Sequence, residues 1–471
     1  MLKKIDFFIF LIILSLLKYI SSKERLIFAF EINRHGARSP AYGVKDGIDL
    51  FQEEWISNGE LSDIGKRQLY LLGSGVRKRY IKEYKLLSEN YNPQEIYIKS
   101  TDYNRTIESV YSFIQGLYPN GFGKNISEKV INNTNITYPP NINEEYKKEF
   151  ENILNNSFLN GTNFALPYNM EILPVHISNP LDDKFLLFDS NYCPGLREEL
   201  DKAHNNKIIK SYSKKLKEKT KDLFIESEKQ YSNKNIKDNN FLDDFWTLYR
   251  YEDNLVCDKL DERDFSFFNE KYKDLNISLE DLIGDAKNFL VDNYFVSNNL
   301  TKNAVIDSST TIKNILSWMQ KAIDIFNNTD STDINTTYIK YVIYSAHDLS
   351  IGALERFLSL YLYEKNMEYA DFGESRYFEL YYDKNKTWDQ QFKVKYFKGI
   401  GKYKNSWKFS TFKYRIDSKA WSKKSINDFC NKKPKYDINI TGATIMVILS
   451  VFDGVLIVLL ILFCAKQDKK F

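Results

Sequence analysis

Three short apolar runs, each stopping at a cluster of charged and polar residues, constrain this chain more than any other feature. Arg25–Ile32 (RLIFAFEI) has the length of a buried strand and ends at Asn33-Arg34-His35-Gly36-Ala37-Arg38-Ser39-Pro40. Gln94–Ser100 (QEIYIKS) runs into Thr101-Asp102-Tyr103-Asn104-Arg105 and then a helical pattern over Thr106–Leu117. Lys340–Ser345 (KYVIYS) ends at Ala346-His347-Asp348, before another helical run over Leu349–Tyr361. Strand, polar loop and helix in succession predict an α/β fold, with a mostly parallel sheet flanked by helices. In such sheets a ligand sits beyond the carboxyl ends of the strands, where these three clusters would meet. Residues 125–300 are rich in Lys, Glu and helical patterns such as Leu196–Lys229. They predict a helical insertion domain between two parts of the α/β domain, 23–124 and 301–437.

The two ends predict a compartment. Residues 1–22 carry Lys3-Lys4, an apolar run from Phe7 to Leu17 and small residues at Ser21 and Ser22, the parts of a secretory signal peptide. Residues 441–465 are apolar apart from Asp453 and are followed by Lys466, Lys469 and Lys470. That is a C-terminal transmembrane helix with a short basic cytoplasmic tail, 466–471, so the predicted topology is single-pass type I. A glycolipid-anchor signal is the alternative, although such signals end on their hydrophobic tail. The catalytic part would then be lumenal or extracellular, on a lysosomal or vacuolar membrane or at the cell surface. Sequons such as Asn125, Asn155, Asn276 and Asn385 agree with a glycoprotein.

Charge excludes some classes of partner. Lys plus Arg, 66, nearly balance Asp plus Glu, 63, leaving +3, too even for the cationic face that nucleic-acid binding needs. With 43% hydrophobic and 27% charged residues, the 471-residue chain is composed for a large buried core rather than for disorder. No Walker loop, acidic metal cluster or C-x-x-C spacing is present, so neither a metal nor another cofactor is expected.

Arg34, Arg38 and Arg105 would bring three planar cations to one crevice, and arginine forks match phosphate oxygens. Only four histidines exist, and two of them, His35 and His347, fall in the same clusters. An imidazole nitrogen can attack phosphorus and hold the phosphoryl group, guanidinium groups can neutralise its oxygens, and a neighbouring carboxyl can protonate the leaving alkoxide. The residues therefore predict a metal-independent phosphatase acting on small phosphate monoesters.

Arg34-His35-Gly36-Ala37-Arg38-Ser39-Pro40 resembles the R-H-G-x-R-x-P signature of the histidine acid phosphatases, and Ser345-Ala346-His347-Asp348 resembles their distal His-Asp motif. The resemblance extends through Gly59-Glu60-Leu61-Ser62, Ser100-Thr101-Asp102, Pro174-Val175-His176, Cys193-Pro194 and Tyr377–Tyr382, and covers most of residues 25–430. It implies that His35 is the nucleophile and Asp348 the proton donor. Arg34, Arg38, Arg105 and His347 would bind the phosphate. It also implies a Cys193–Cys430 disulfide, while Cys257 lacks its usual partner and would be a free thiol. Asn104 stands where the family commonly has Asp and creates a sequon inside the motif, expected to be unglycosylated. The layout is similar to that of the membrane-tethered lysosomal acid phosphatases, with a homodimer as one assembly open to it. Two other readings remain: a phytase or inositol-polyphosphate phosphatase, and a non-catalytic surface-binding protein on the same fold. The second would require the loss of a catalytic residue, and none is lost.

Overall fold

The computed structural model describes residues 24–41, 58–131, 137–177, 301–328, 338–364 and 367–431, together with positions 193–196 and scattered residues between 198 and 287. Strand β1 (Arg25–Arg34) is followed by α1 (Asp63–Val76), β2 (Ile96–Ser100), α2 (Asn104–Leu117), α3 (Glu144–Asn155) and the short β3 (His176–Ile177). Then come α4 (Thr301–Asn328), β4 (Tyr341–Ala346), α5 (Asp348–Leu362), the strands β5 (Ser375–Tyr382), β6 (Phe392–Lys398) and β7 (Tyr403–Lys408), and finally α6 (Phe409–Lys419) and α7 (Lys423–Cys430). The strands form one sheet in the order β3-β2-β4-β1-β5-β6-β7.

The expectation of a mostly parallel sheet is corrected. The pairings β1/β4, β2/β4 and β2/β3 are parallel, whereas β1/β5, β5/β6 and β6/β7 are antiparallel, so the sheet is mixed. Connection length accounts for the β5/β6 and β6/β7 pairings. A parallel crossover needs a dozen or more residues, and the links at 383–391 and 399–402 are too short for one. Gly399 and Gly401 turn the tighter link with positive φ of 85° and 71°. Strand β3, inside the segment 125–300, pairs with β2 at the edge of the same sheet.

Side-chain alternation along the strands builds two cores. Phe28, Phe30, Ile32, Val342, Tyr344, Phe378 and Leu380 face α4, α5 and α6 through residues such as Ile315, Met319, Leu354, Phe357 and Phe412. Ala29, Ile98, Tyr341, Ile343, Tyr377 and Tyr381 face α1 and α2 through Leu69, Val76, Phe113 and Leu117. Helices thus cover both faces, and strands buried on both faces read as unbroken apolar runs. Among the described residues no helix is long and apolar enough to cross a membrane, and the predicted segments 1–22 and 441–465 lie outside those residues.

Two acids are buried inside the layer between the sheet and α1. Glu379 is forked by Arg79 at 2.6 and 2.8 Å. Glu31 instead accepts from neutral donors, the Asn33 amide at 3.1 Å and the Tyr341 hydroxyl. Burial outweighs those hydrogen bonds and pushes Glu31 up to about 7. The folded state therefore binds a proton that the unfolded chain releases near 4.5, so this contribution to stability is complete below about pH 4.5 and is lost as pH rises towards 7. Glu31→Gln should accordingly stabilise the protein at pH 8, by on the order of 2 kcal/mol, and have little effect at pH 4. Thermal denaturation of both proteins at the two pH values checks this.

Candidate active site

The register of the central strands builds the site. Arg34 stands opposite Ala346 in the β1/β4 ladder, and Ser100 stands opposite Ser345 in β2/β4. The three strands therefore end at one level, and the residues that follow them, His35, Thr101 and His347, emerge side by side. The His35 and His347 rings lie 5.5 Å apart, edge to face. Helices α2 and α5 also begin here, so their positive ends add to the field.

The turn after β1 is held by α1. The Ala37 amide donates to Gln68 Oε1 at 2.9 Å, the Gly36 amide to Ser109 Oγ at 3.1 Å, and Ser62, the N-cap of α1, donates to Ala37 O at 3.0 Å. This contact demands two glycines. A Cβ on Gly36 would lie 2.4 Å from Gly65 O, and one on Gly65 would lie 2.1 Å from Ala37 O.

His35 is buried, and its Nδ1–H donates to Gly36 O at 2.9 Å. That bond fixes the tautomer and leaves the lone pair on Nε2. Burial first, and then the charges of Arg38, Arg105 and Arg34, hold its pKa well below the usual histidine range. His347 is lowered in the same way by burial and by Arg105, although Asp348 opposes the shift. Its Nε2 lies 3.0 Å from Thr101 Oγ1, and Tyr103 meets its ring edge to face at 5.3 Å.

Charge surrounds these two rings. Arg34 places Nη2 3.0 Å from Asp348 Oδ2, donates Nη1 to Ala370 O at 2.8 Å, and stacks 3.9 Å above the Phe372 ring. Arg38 is forked end-on by Asp253, with contacts of 2.6 and 3.1 Å, and also approaches Cys257 Sγ at 3.7 Å. Arg105 lies over the Tyr103 ring at 4.5 Å, and its Nε is buried with no hydrogen-bond partner among the described residues. Burial pushes Asp348 up, but Arg34, the Tyr369 hydroxyl, Arg38 and His347 together outweigh it and hold its carboxyl below the ordinary range. Among the described residues, three guanidinium charges face the carboxylates of Asp348 and Asp253, a setting that suits an incoming phosphate.

All six residues singled out in the sequence converge here. Sequence reasoning missed Asp253 and Tyr369. Asp253 precedes the singled-out Cys257 by four positions in a helical stretch, so the two share a helix face, and both touch Arg38. Tyr369 lies between α5 and β5 with no neighbouring motif. The Cys193–Cys430 disulfide is present, and Cys257 is buried against Arg38. Asn104 Nδ2, the nitrogen that a glycan would use, donates to Glu60 at 3.1 Å.

A family model described as the histidine phosphatase superfamily, branch 2, matches residues 25–398. Lysosomal acid phosphatase from Xenopus laevis is 27% identical over 368 residues, covering 77% of this chain and 67% of that protein. Human prostatic acid phosphatase is 36% identical over 119 residues, covering 24% of this chain and 28% of that protein. Among solved structures, the Klebsiella sp ASR1 phytase superposes with a TM-score of 0.52 at 13% identity, covering 85% of this chain and 97% of its own. The Citrobacter braakii phytase gives 0.52 at 12% identity, covering 87% and 100%. At that identity the phytases share the fold alone.

Gly65→Ala should displace the turn that carries His35 and lower kcat by about a hundredfold, because shifting the parts of a catalytic site by an ångström costs about that much. Steady-state kinetics beside a melting curve checks this, and a folded variant with wild-type kcat would refute it.

Proposed function

The chain belongs to the histidine phosphatase superfamily, branch 2, and from that premise we propose that it is an acid phosphatase acting on phosphate monoesters through a phosphohistidine at His35. The hydrogen bond from His35 Nδ1–H to Gly36 O carries the reading. It presents an unprotonated Nε2 among three arginines, where a phosphate would be bound and its charge neutralised.

In the first step a bond forms between His35 Nε2 and phosphorus, the bond to the ester oxygen breaks, and the Asp348 proton passes to that oxygen. Water then attacks the phosphohistidine, Asp348 takes a proton from it, and inorganic phosphate leaves. Arg34, Arg38 and Arg105 hold the phosphoryl oxygens through both steps, with His347 beside them, so the charge they neutralise grows where they already stand. Asp348 must be protonated to begin. Bound phosphate takes up the arginine field and adds a like charge, and both effects raise the Asp348 pKa in the complex. Turnover is therefore favoured in acid, with an optimum at roughly pH 4 to 6.

The similarity to lysosomal and prostatic acid phosphatases supports this substrate class. The compartment follows the same reading: a lumenal or extracellular catalytic part, reached through a signal peptide at 1–22 and tethered by a span at 441–465. The Cys193–Cys430 bond suits such an oxidising compartment.

His35→Ala should abolish turnover and acid-labile labelling by a radioactive phosphate ester, and undiminished labelling would sink the assignment. Asp348→Asn keeps the shape but removes the proton. Alkyl phosphates, with poor leaving groups, should then lose far more rate than aryl phosphates. Equal losses would reassign Asp348 to positioning. A panel of monoesters that includes inositol hexakisphosphate distinguishes a general phosphatase from a phytase.

A further inference from the structure

Asp348 is gripped from three elements. Arg34 at the end of β1 reaches Oδ2 at 3.0 Å, the Leu349 amide in the first turn of α5 donates to Oδ1 at 2.8 Å, and the Tyr369 hydroxyl, between α5 and β5, donates to Oδ2 at 2.8 Å. Arg38 and His347 act on it through space, as does Arg105 from α2. Lys287 stands behind Tyr369, 5.5 Å from the ring centroid, and pairs with Asp371.

These three partners are not equivalent. A guanidinium and a peptide N–H can only donate, so they always favour the carboxylate. A phenol donor favours the carboxylate too, but it is neutral and can be removed with one oxygen atom, leaving the charge of the site unchanged. Nor is Tyr369 a loosely held surface group. Its neighbour Ala370 accepts from Arg34, and the Glu368 amide donates to Glu355 Oε2 at 3.1 Å. Glu355 is buried and paired with Arg376 and Lys398. The Gly373 amide closes the segment onto His35 O at 3.0 Å.

We propose that Tyr369 is a positioning residue for the proton transfer: its hydroxyl fixes Asp348 Oδ2 and sets the alkaline limit of turnover. The proposal rests on the proton-donor role of Asp348 argued above. With the hydroxyl in place the carboxyl is steered but gives up its proton at lower pH. Without it, Arg34 and the Leu349 amide still hold the group, and the proton is retained to higher pH.

The test is the pH profile of kcat on an alkyl phosphate, whose poor leaving group keeps the proton donor in the slow step. Tyr369→Phe should move the alkaline limb upward by about 0.5 to 1 pH unit. Replacing Tyr369 by 3,5-difluorotyrosine, which keeps size and hydroxyl but donates more strongly, should move it downward. This second replacement decides the matter if Tyr369→Phe fails to fold. A folded Tyr369→Phe enzyme that loses rate while its limb stays fixed, or a limb that moves the same way in both replacements, would overturn the proposal. Asp348→Asn separates this failure from that of the underlying reading. If Asp348→Asn removes the limb and Tyr369→Phe leaves it unmoved, only the role of Tyr369 falls. If Asp348→Asn keeps the limb and the wild-type preference among leaving groups, the proton-donor assignment falls, and the role of Tyr369 falls with it.

Discussion

The parallel pairing of β1 with β4 is the constraint on which everything else depends. It aligns Arg34 with Ala346 and, through the β2/β4 ladder, Ser100 with Ser345. A side-chain period of two makes such a register intolerant of error, because a slip of one residue would send Phe28, Phe30 and Ile32 from the α4/α5 core to the opposite face. The two hydrophobic cores thus lock the ladder, and the ladder sets the ends of the strands. Burial far from the site fixes the 5.5 Å separation of the two histidine rings within it.

Charge is arranged so that a buried, cationic crevice can exist before any ligand arrives. Like-charged guanidinium groups brought together in a low dielectric would repel and resist desolvation. Arg34 is paired with Asp348, Arg38 with Asp253, and Arg105 lies on the face of Tyr103. Phe372 receives the Arg34 stack and flanks the His35 ring at 5.5 Å, so one apolar side chain packs against both the guanidinium and the imidazole. Asp253, from within 125–300, reaches Arg38 and also accepts from the Ala41 amide at 2.8 Å, which fixes the chain just beyond Pro40.

What the sequence disclosed follows a physical rule. Strand ends and helix starts are local events, so Arg34, His35, Arg105, His347 and Asp348 could be placed from apolar runs and the residues that stop them. Strand direction is not written in a strand's own residues: the short links after β5 impose antiparallel β6 and β7, whereas the long connection 347–374 before β5 allowed either direction, and the expected mostly parallel sheet became a mixed one. Asp253 and Tyr369 were illegible for another reason. Each acts on a partner brought near only by folding, and neither sits in a pattern that announces a site.

The same arginines bear in opposite ways on the roles proposed for His35 and Asp348. Their field lowers the pKa of both groups, which suits the nucleophile proposed for His35 and opposes the proton donor proposed for Asp348. No fixed arrangement of charge satisfies both in the empty site. Substrate resolves the conflict: a bound phosphate cancels much of the cationic field, so the carboxyl can take a proton, while burial alone still disfavours protonation of His35. Burial is the largest influence on His35, whereas partners outweigh burial at Asp348, so the two groups respond unequally to the same ligand. On the proposed mechanism Asp348 is thereby armed by the substrate it will act on, and His35 is left as it was.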